Sequence, residues 1–237
     1  MQPSLPIRTL IANPTIETTV FRAALALTLL ILPSAAAHGQ AAGAGKAGHR
    51  TLLARAEEIA LAESGAPATV TVGARILALT DSGFVEARPG STGVTCLVNR
   101  SWPDSLEPEC FDPEASATIM PMELWRTKRY QAGATNADVA NEINAGLAAG
   151  RFRLPGRPAV VYMMSAEQRL ISDEGQPAGH WKPHVMIHFP FLTNEAVGLH
   201  GDPHSAAGSV VDSGRPTANL TIVVTEFVPV RRPGADR

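Results

Sequence analysis

The chain has 237 residues, a formal net charge of −2 at pH 7, and 5% aromatic residues. That charge offers no basic face for nucleic acid, and so few rings supply no stacking platform for bases. The length is sufficient for one domain with a real core.

Residues 1–39 read as a secretory signal. Arg22 flanks an apolar run that begins at Ala23, roughly ten residues long against the roughly 20 that a bilayer requires. Pro33 ends it, and both Ala35-Ala36-Ala37 and Ala37-His38-Gly39 satisfy the small-x-small cleavage rule. The expected location is therefore the periplasm or the medium, with no membrane anchor after cleavage. Cys96 and Cys110 are the 2 cysteines of the chain, and an oxidising compartment makes a disulfide between them the default. Residues 40–50 read as a flexible linker. Gly43-x-Gly45-x-x-Gly48 matches the dinucleotide fingerprint by letter, but it follows no strand, and the fingerprint has meaning only between a strand and a helix.

A helix is predicted over 51–64, with Leu52, Ala56, Ile59 and Ala60 on one stripe and Gly65 and Pro67 as its stop. Short β-type runs follow at 69–72, 75–80, 84–88 and 94–98. Asp81-Ser82-Gly83 between two of them is a hairpin signal, and the runs together read as an antiparallel meander. Asp104, Glu107, Glu109, Asp112 and Glu114 lie around Cys110 without the spacing of a calcium loop. They are predicted to form a solvated acidic loop tied to the sheet by the disulfide. Pro103, Pro108 and Pro113 leave that loop no scaffold for a carboxylate pair of fixed separation.

A second helix is predicted over 117–131, with Pro121 confined to its first turn. A third starts at Thr135, where Asp138 completes a cap. Its stripe is Val139, Ile143 and Leu147, and it ends at Gly150. Strands at 159–164, 184–189 and 219–227 complete the domain, which spans 51–230. A long loop is expected over 193–216 and a disordered tail over 231–237. The fold class is α+β: an antiparallel sheet, meander plus three later strands, with two or three helices packed mainly on one face.

The strand at 184–189 is the candidate functional element. Its alternation puts Val185, Ile187 and Phe189 on one face and His184, Met186 and His188 on the other, between Pro183 and Pro190. The plainest reading is a core strand with two hydrogen-bonded histidines. As a site, His184, Met186 and His188 with Tyr162 and Met164 would floor a pocket for a small ligand. His184 and His188 leave a strand ~13 Å apart, too far for one metal ion. A zinc set would instead combine His184 with His200, Asp202 and His204. There is no Gly-x-Ser-x-Gly elbow, and no catalytic residue is assigned. A binding or accessory role, toward a small molecule or an envelope protein, is preferred. The alternative is a metal-dependent or Ser/His hydrolase using His184, His200, Asp202 and His204.

Several short patterns together resemble a family of uncharacterised exported bacterial proteins. They are Gly93-Val-Thr-Cys96, Cys110, Tyr162-Met-Met164, Pro183-His-Val-Met-Ile187, Asp202-Pro203, Gly214 with Pro216, and Val228-Pro-Val230. The resemblance covers about residues 68–230 and implies the layout and export, with no activity attached. Lys182 stands where the family pattern has Gly, and His188 and His204 lie outside it.

Overall fold

The structure, a computed structural model, describes residues 51–101, 105–171, 177–199 and 208–232. The expected signal and linker, and with them His200, Asp202 and His204, lie outside the described residues. An eight-stranded mixed sheet forms the centre. Its strands are β1 (Arg75–Thr80), β2 (Gly83–Arg88), β3 (Thr95–Asn99), β4 (Glu107–Phe111) and β5 (Ala159–Met163). A small separate pair, β6 (Leu170–Ile171) and β7 (Pro177–Gly179), intervenes before β8 (His184–His188), β9 (Ser209–Val211) and β10 (Asn219–Val223). The order across the large sheet is β2-β1-β3-β4-β5-β8-β10-β9.

The helices are α1 (Arg55–Glu63), α2 (Ala68–Thr71), α3 (Pro113–Thr118), α4 (Met120–Gln131) and α5 (Asn136–Ala148). α3, α4 and α5 cover one face of the sheet. There Met120, Met122, Tyr130, Val139 and Ile143 pack on Leu77, Leu97, Phe111 and Val161. α1 packs on the other face, where Leu61 and Ala62 meet Ile76, Cys96, Val98 and Cys110. The α+β class and three helices on one face are as expected.

Three expectations need correction. The first concerns the meander. β3 does not follow β2 in the sheet; it lies parallel to β1 on that strand's far side. The reason lies in β1 itself, whose Ile76, Leu77, Ala78 and Leu79 are all buried and need strands on both sides, whereas β2 exposes Val85 and Glu86 and suits an edge. Gly90 permits the return: a Cβ there would sit 2.2 Å from the Arg75 nitrogen.

The second concerns residues 69–72, which form the short helix α2 rather than a strand. Pro67 sets its start, and β-branched residues without a strand neighbour have little reason to extend.

The third concerns the acidic segment, of which Asp104 lies outside the described residues and the rest, from Glu107 to Glu114, is not a solvated loop. Glu107 and Glu109 are 3% and 7% exposed in β4. Asp112 caps α3, accepting from the Ala115 N–H at 2.7 Å, and Glu114 pairs with Arg157. Two-residue alternation puts Glu107, Glu109 and Phe111 on the helix-covered face, with Pro108 and Cys110 behind. Pro108 is tolerated because β5 pairs only with Cys110 and Phe111, so no N–H is required of it on that side.

Elsewhere the local signals hold. Thr135 and Asp138 form the reciprocal capping box of α5. Pro121 stands in the first turn of α4, although a break at Ile119 divides the expected helix into α3 and α4. The expected loop at 193–216 contains β9, an edge strand paired with β10. No helix among the described residues is long and apolar enough to cross a membrane.

Candidate functional site

A cavity of about 520 Å³ opens between the sheet and helices α4 and α5. Its sheet wall is built by cross-strand pairing. Asn99 of β3 faces Glu107 of β4, and Leu97 faces Glu109. Farther along, Phe111 pairs with Val161, Val161 with Met186, and His188 with Asn219. Paired residues share a face, so carboxyls, amides and the His188 ring come to one surface. The helical wall brings Met122, Glu123 and Arg126 from α4 and Ile143 and Asn144 from α5. Asp212 and Arg215 stand exposed at the rim.

A polar network crosses the cavity. The Asn99 amide donates to Glu109 at 3.3 Å and to Glu123 at 3.0 Å, and its oxygen accepts from Thr127 at 3.2 Å. Arg126 pairs with Glu123 at 3.1 Å. The Ser101 hydroxyl lies 2.6 and 2.8 Å from the two carboxyl oxygens of Glu107. His188 Nδ1 is shut off from solvent and has no hydrogen-bond partner among the described residues.

Burial dominates the titration here. It raises the Glu107 carboxyl to about 7; the Ser101 hydroxyl holds it back and the Glu123 carboxylate pushes it further. Glu109 is raised well above the ordinary carboxyl range by burial first, then by Glu123 and Glu107. Burial lowers the His188 ring to about 4, opposed by Glu123, the Thr217 backbone and Asp212. The Glu123 carboxylate raises the Arg126 guanidinium. At neutral pH the wall thus presents a Glu107 near its midpoint and a neutral imidazole, beside a Glu109 whose ionisation is opposed by burial and by the neighbouring carboxylates.

The expected site residues divide. Met186 and His188 line this cavity. His184 leaves the same face at the far end of β8, is 7% exposed, and bonds the Lys182 carbonyl through Nδ1 at 2.7 Å. Burial lowers its ring, opposed by that carbonyl. Tyr162 pairs with Val185 and packs on the opposite, α1 side of the sheet. Met164 exchanges backbone bonds with Gly65 and Val228, away from the cavity. The structure therefore does not bring His184, Tyr162 and Met164 together with Met186 and His188. Of the expected metal set, His184 alone is described, and no group of three His, Cys, Asp or Glu side chains among the described residues could hold a metal ion.

Sequence reasoning missed Asn99, Ser101, Glu107, Glu109, Glu123 and Arg126. The available signal was Glu107-Pro-Glu109-Cys110-Phe111. Alternation around a cysteine already paired to a β-run puts both carboxyls on one strand face.

The fold and site define an α+β domain whose mixed sheet carries two buried carboxyls into a cavity under a helical layer. No protein-family model matches the chain, no curated protein matches it, and no solved structure does.

Proposed function

We propose that the protein is an exported small-ligand-binding domain and that the cavity between β4, β8 and α4 receives the ligand. The observation that carries this reading is the Glu107 and Glu109 pair, buried on a cavity wall with no ion pair to either carboxyl among the described residues. Burying an ionisable group without a countercharge costs several kcal/mol, and sites that break this local rule are where function concentrates. The volume falls in the range of small-molecule pockets, and the mixture of Phe111, Val161 and Met186 with a few convergent polar groups is their usual composition. Export is supported by the expected signal at 1–39 and by the disulfide.

Ligand-observed NMR of the purified protein against a fragment library tests the reading. Ala140 is an exposed residue of α5 that lines the cavity, so Ala140→Trp should close the mouth without disturbing the fold. Hits on the wild type that vanish in this variant are the expected result. A library with no hits, or with hits the variant retains, ends it.

A second reading is favoured by Glu107 alone. A carboxyl raised to about 7 both gives and takes a proton at neutral pH, as acid–base hydrolysis requires. Turnover of chromogenic glycosides or esters that Glu107→Gln abolishes would establish it; no turnover by the wild type removes it.

A further inference from the structure

The half of the sheet beyond β5 carries an inverted pattern on the α1 side. There α1 covers β1, β3 and β4 and stops short of β8 and β10. A strand with one face in solvent normally turns its polar residues outward. In β8 and β10 the polar His184, His188, Asn219 and Thr221 share the face of the cavity, and Val185, Ile187, Leu220 and Ile222 take the open one. Cross-strand pairing sets two rows on that open face, Val160–Ile187–Leu220 and Tyr162–Val185–Ile222. Phe189 follows at the end of β8. Neither row holds a charged residue, and Ile222 and Phe189 are 37% and 45% exposed.

The edges of the same sheet are treated differently. Arg55 donates to the Ala87 carbonyl of β2 at 2.7 Å, and the Asn194 side chain accepts from the Val210 N–H of β9 at 3.0 Å. Both outer strands thus have edge groups occupied, which discourages strand addition, while the apolar face stays open. The chain has little of its own to cover it. Segments 40–50, 172–176, 200–207 and 233–237, outside the described residues, contain no Val, Leu, Ile, Met, Phe, Tyr or Trp. The connection 102–104 holds Trp102 but joins β3 to β4, on the far side of β5 from β8 and β10. Export removes the apolar run within 1–39, and at this point alone the inference rests on that reading.

We propose that a second copy of the chain covers this face, the two rows of one copy packing on those of its partner about a twofold axis. A surface used twice must complement itself. An uncharged apolar sheet meets its copy without bringing like charges together, whereas a partner selected by charge finds nothing here to recognise. Sheets pack face to face about 10 Å apart with their side chains interdigitated. A strand spacing of ~4.8 Å and a rise of ~3.3 Å per residue give the β5–β8–β10–β9 face about 300 Å² in plan. Side-chain relief roughly doubles that in accessible area, to the ~600 Å² per copy at which specific interfaces begin.

Sedimentation equilibrium of the purified protein, with and without residues 1–39, is the test. The form without them should be a dimer at ~50 µM, with a melting temperature that rises with concentration because association is linked to folding. Ile222→Glu puts a charge from each copy into the contact, and Phe189→Glu does so where the ring is already exposed. Each should weaken the dimer at least a hundredfold and remove the concentration dependence of melting, with the circular dichroism of the fold retained. Should Ile222→Glu fail to fold, Phe189→Glu decides alone. A monomer at ~200 µM in the form without residues 1–39 overturns the proposal, whatever the longer form does. So does a dimer that the folded variants retain. N-terminal sequencing of the protein from the cell envelope tests export separately, so a retained leader and a failed dimer are told apart.

Discussion

Asn99 joins strand β3 to helix α4 by donating its amide to Glu123 at 3.0 Å. The same nitrogen lies 3.3 Å from Glu109, so one neutral side chain separates two carboxyls that would otherwise face each other directly. Replacing it by an acid would remove the donor and add a like charge. Asn99→Asp is expected to lower the melting temperature by roughly 3–10 °C at pH 7.5, from about 1–3 kcal/mol of unsatisfied burial, and by clearly less at pH 5. Thermal melts at the two pH values read the difference.

Stability should have a broad maximum at mildly acid pH. The folded value of Glu107, about 7, is above its ordinary 4.5. Its contribution is therefore fully present below pH 4.5 and is lost as pH rises through about 7. Glu109 is shifted in the same direction. His188 is the reverse case: lowered from 6.5 to about 4, it contributes above pH 6.5 and loses that contribution as pH falls through about 4. The lowered carboxyls of Glu114, Asp138 and Glu167 add to the acid limb. Melting curves from pH 3 to 9 should fall on both sides, and Glu109→Gln should flatten the alkaline limb. A wild-type curve still rising at pH 8 would contradict this.

A buried ion pair lies outside the cavity. Arg100 and Glu58, both effectively buried, meet at 2.8 Å, and Arg100 also donates to the Val98 and Thr51 carbonyls. Breaking such a pair leaves one charge buried alone, which costs about 3–5 kcal/mol. Glu58→Ala should therefore show a loss of that size in urea unfolding. Burial, opposed by Arg100, raises the Glu58 carboxyl. A loss under about 1 kcal/mol would mean that Arg100 finds other compensation.

The disulfide sits on a cross-strand pair. Cys96 faces Cys110 in the β3–β4 register, with Cα atoms 4.1 Å apart. Its 14-residue separation corresponds to roughly 3 kcal/mol in the chain-entropy account. Non-reducing peptide mapping of the purified protein should recover the two cysteine peptides linked, and reduction should lower the melting temperature by roughly 6–12 °C.

His184 is held at the start of β8 by contacts within its own segment. Its Nδ1 bonds the Lys182 carbonyl and its ring meets Trp181 edge-on at 6.2 Å. His184→Ala should cost about 1–3 kcal/mol equally with and without added zinc. A zinc-dependent rise in the wild-type melting temperature that this variant loses would instead point to the metal set with His200, Asp202 and His204.

What the sequence determined by itself is local. The Thr135–Asp138 capping box, the place of Pro121 in a first helical turn, and the strands at Ala159–Met163, His184–His188 and Asn219–Val223 depend on periodicity and backbone chemistry within a few residues. The cysteine pairing followed from there being 2 cysteines in all. The tertiary structure alone decided the strand order and therefore the site. β3 lies beside β1 because a doubly buried strand needs two neighbours, and no local residue pattern says which strand will supply the second. Glu107 and Glu109 show the same limit. Composition assigns carboxyls to water, because an isolated charge avoids burial. Here the Cys96–Cys110 bond and the pairing with β3 hold β4 inside the sheet, and the two carboxyls lie on its cavity-facing side.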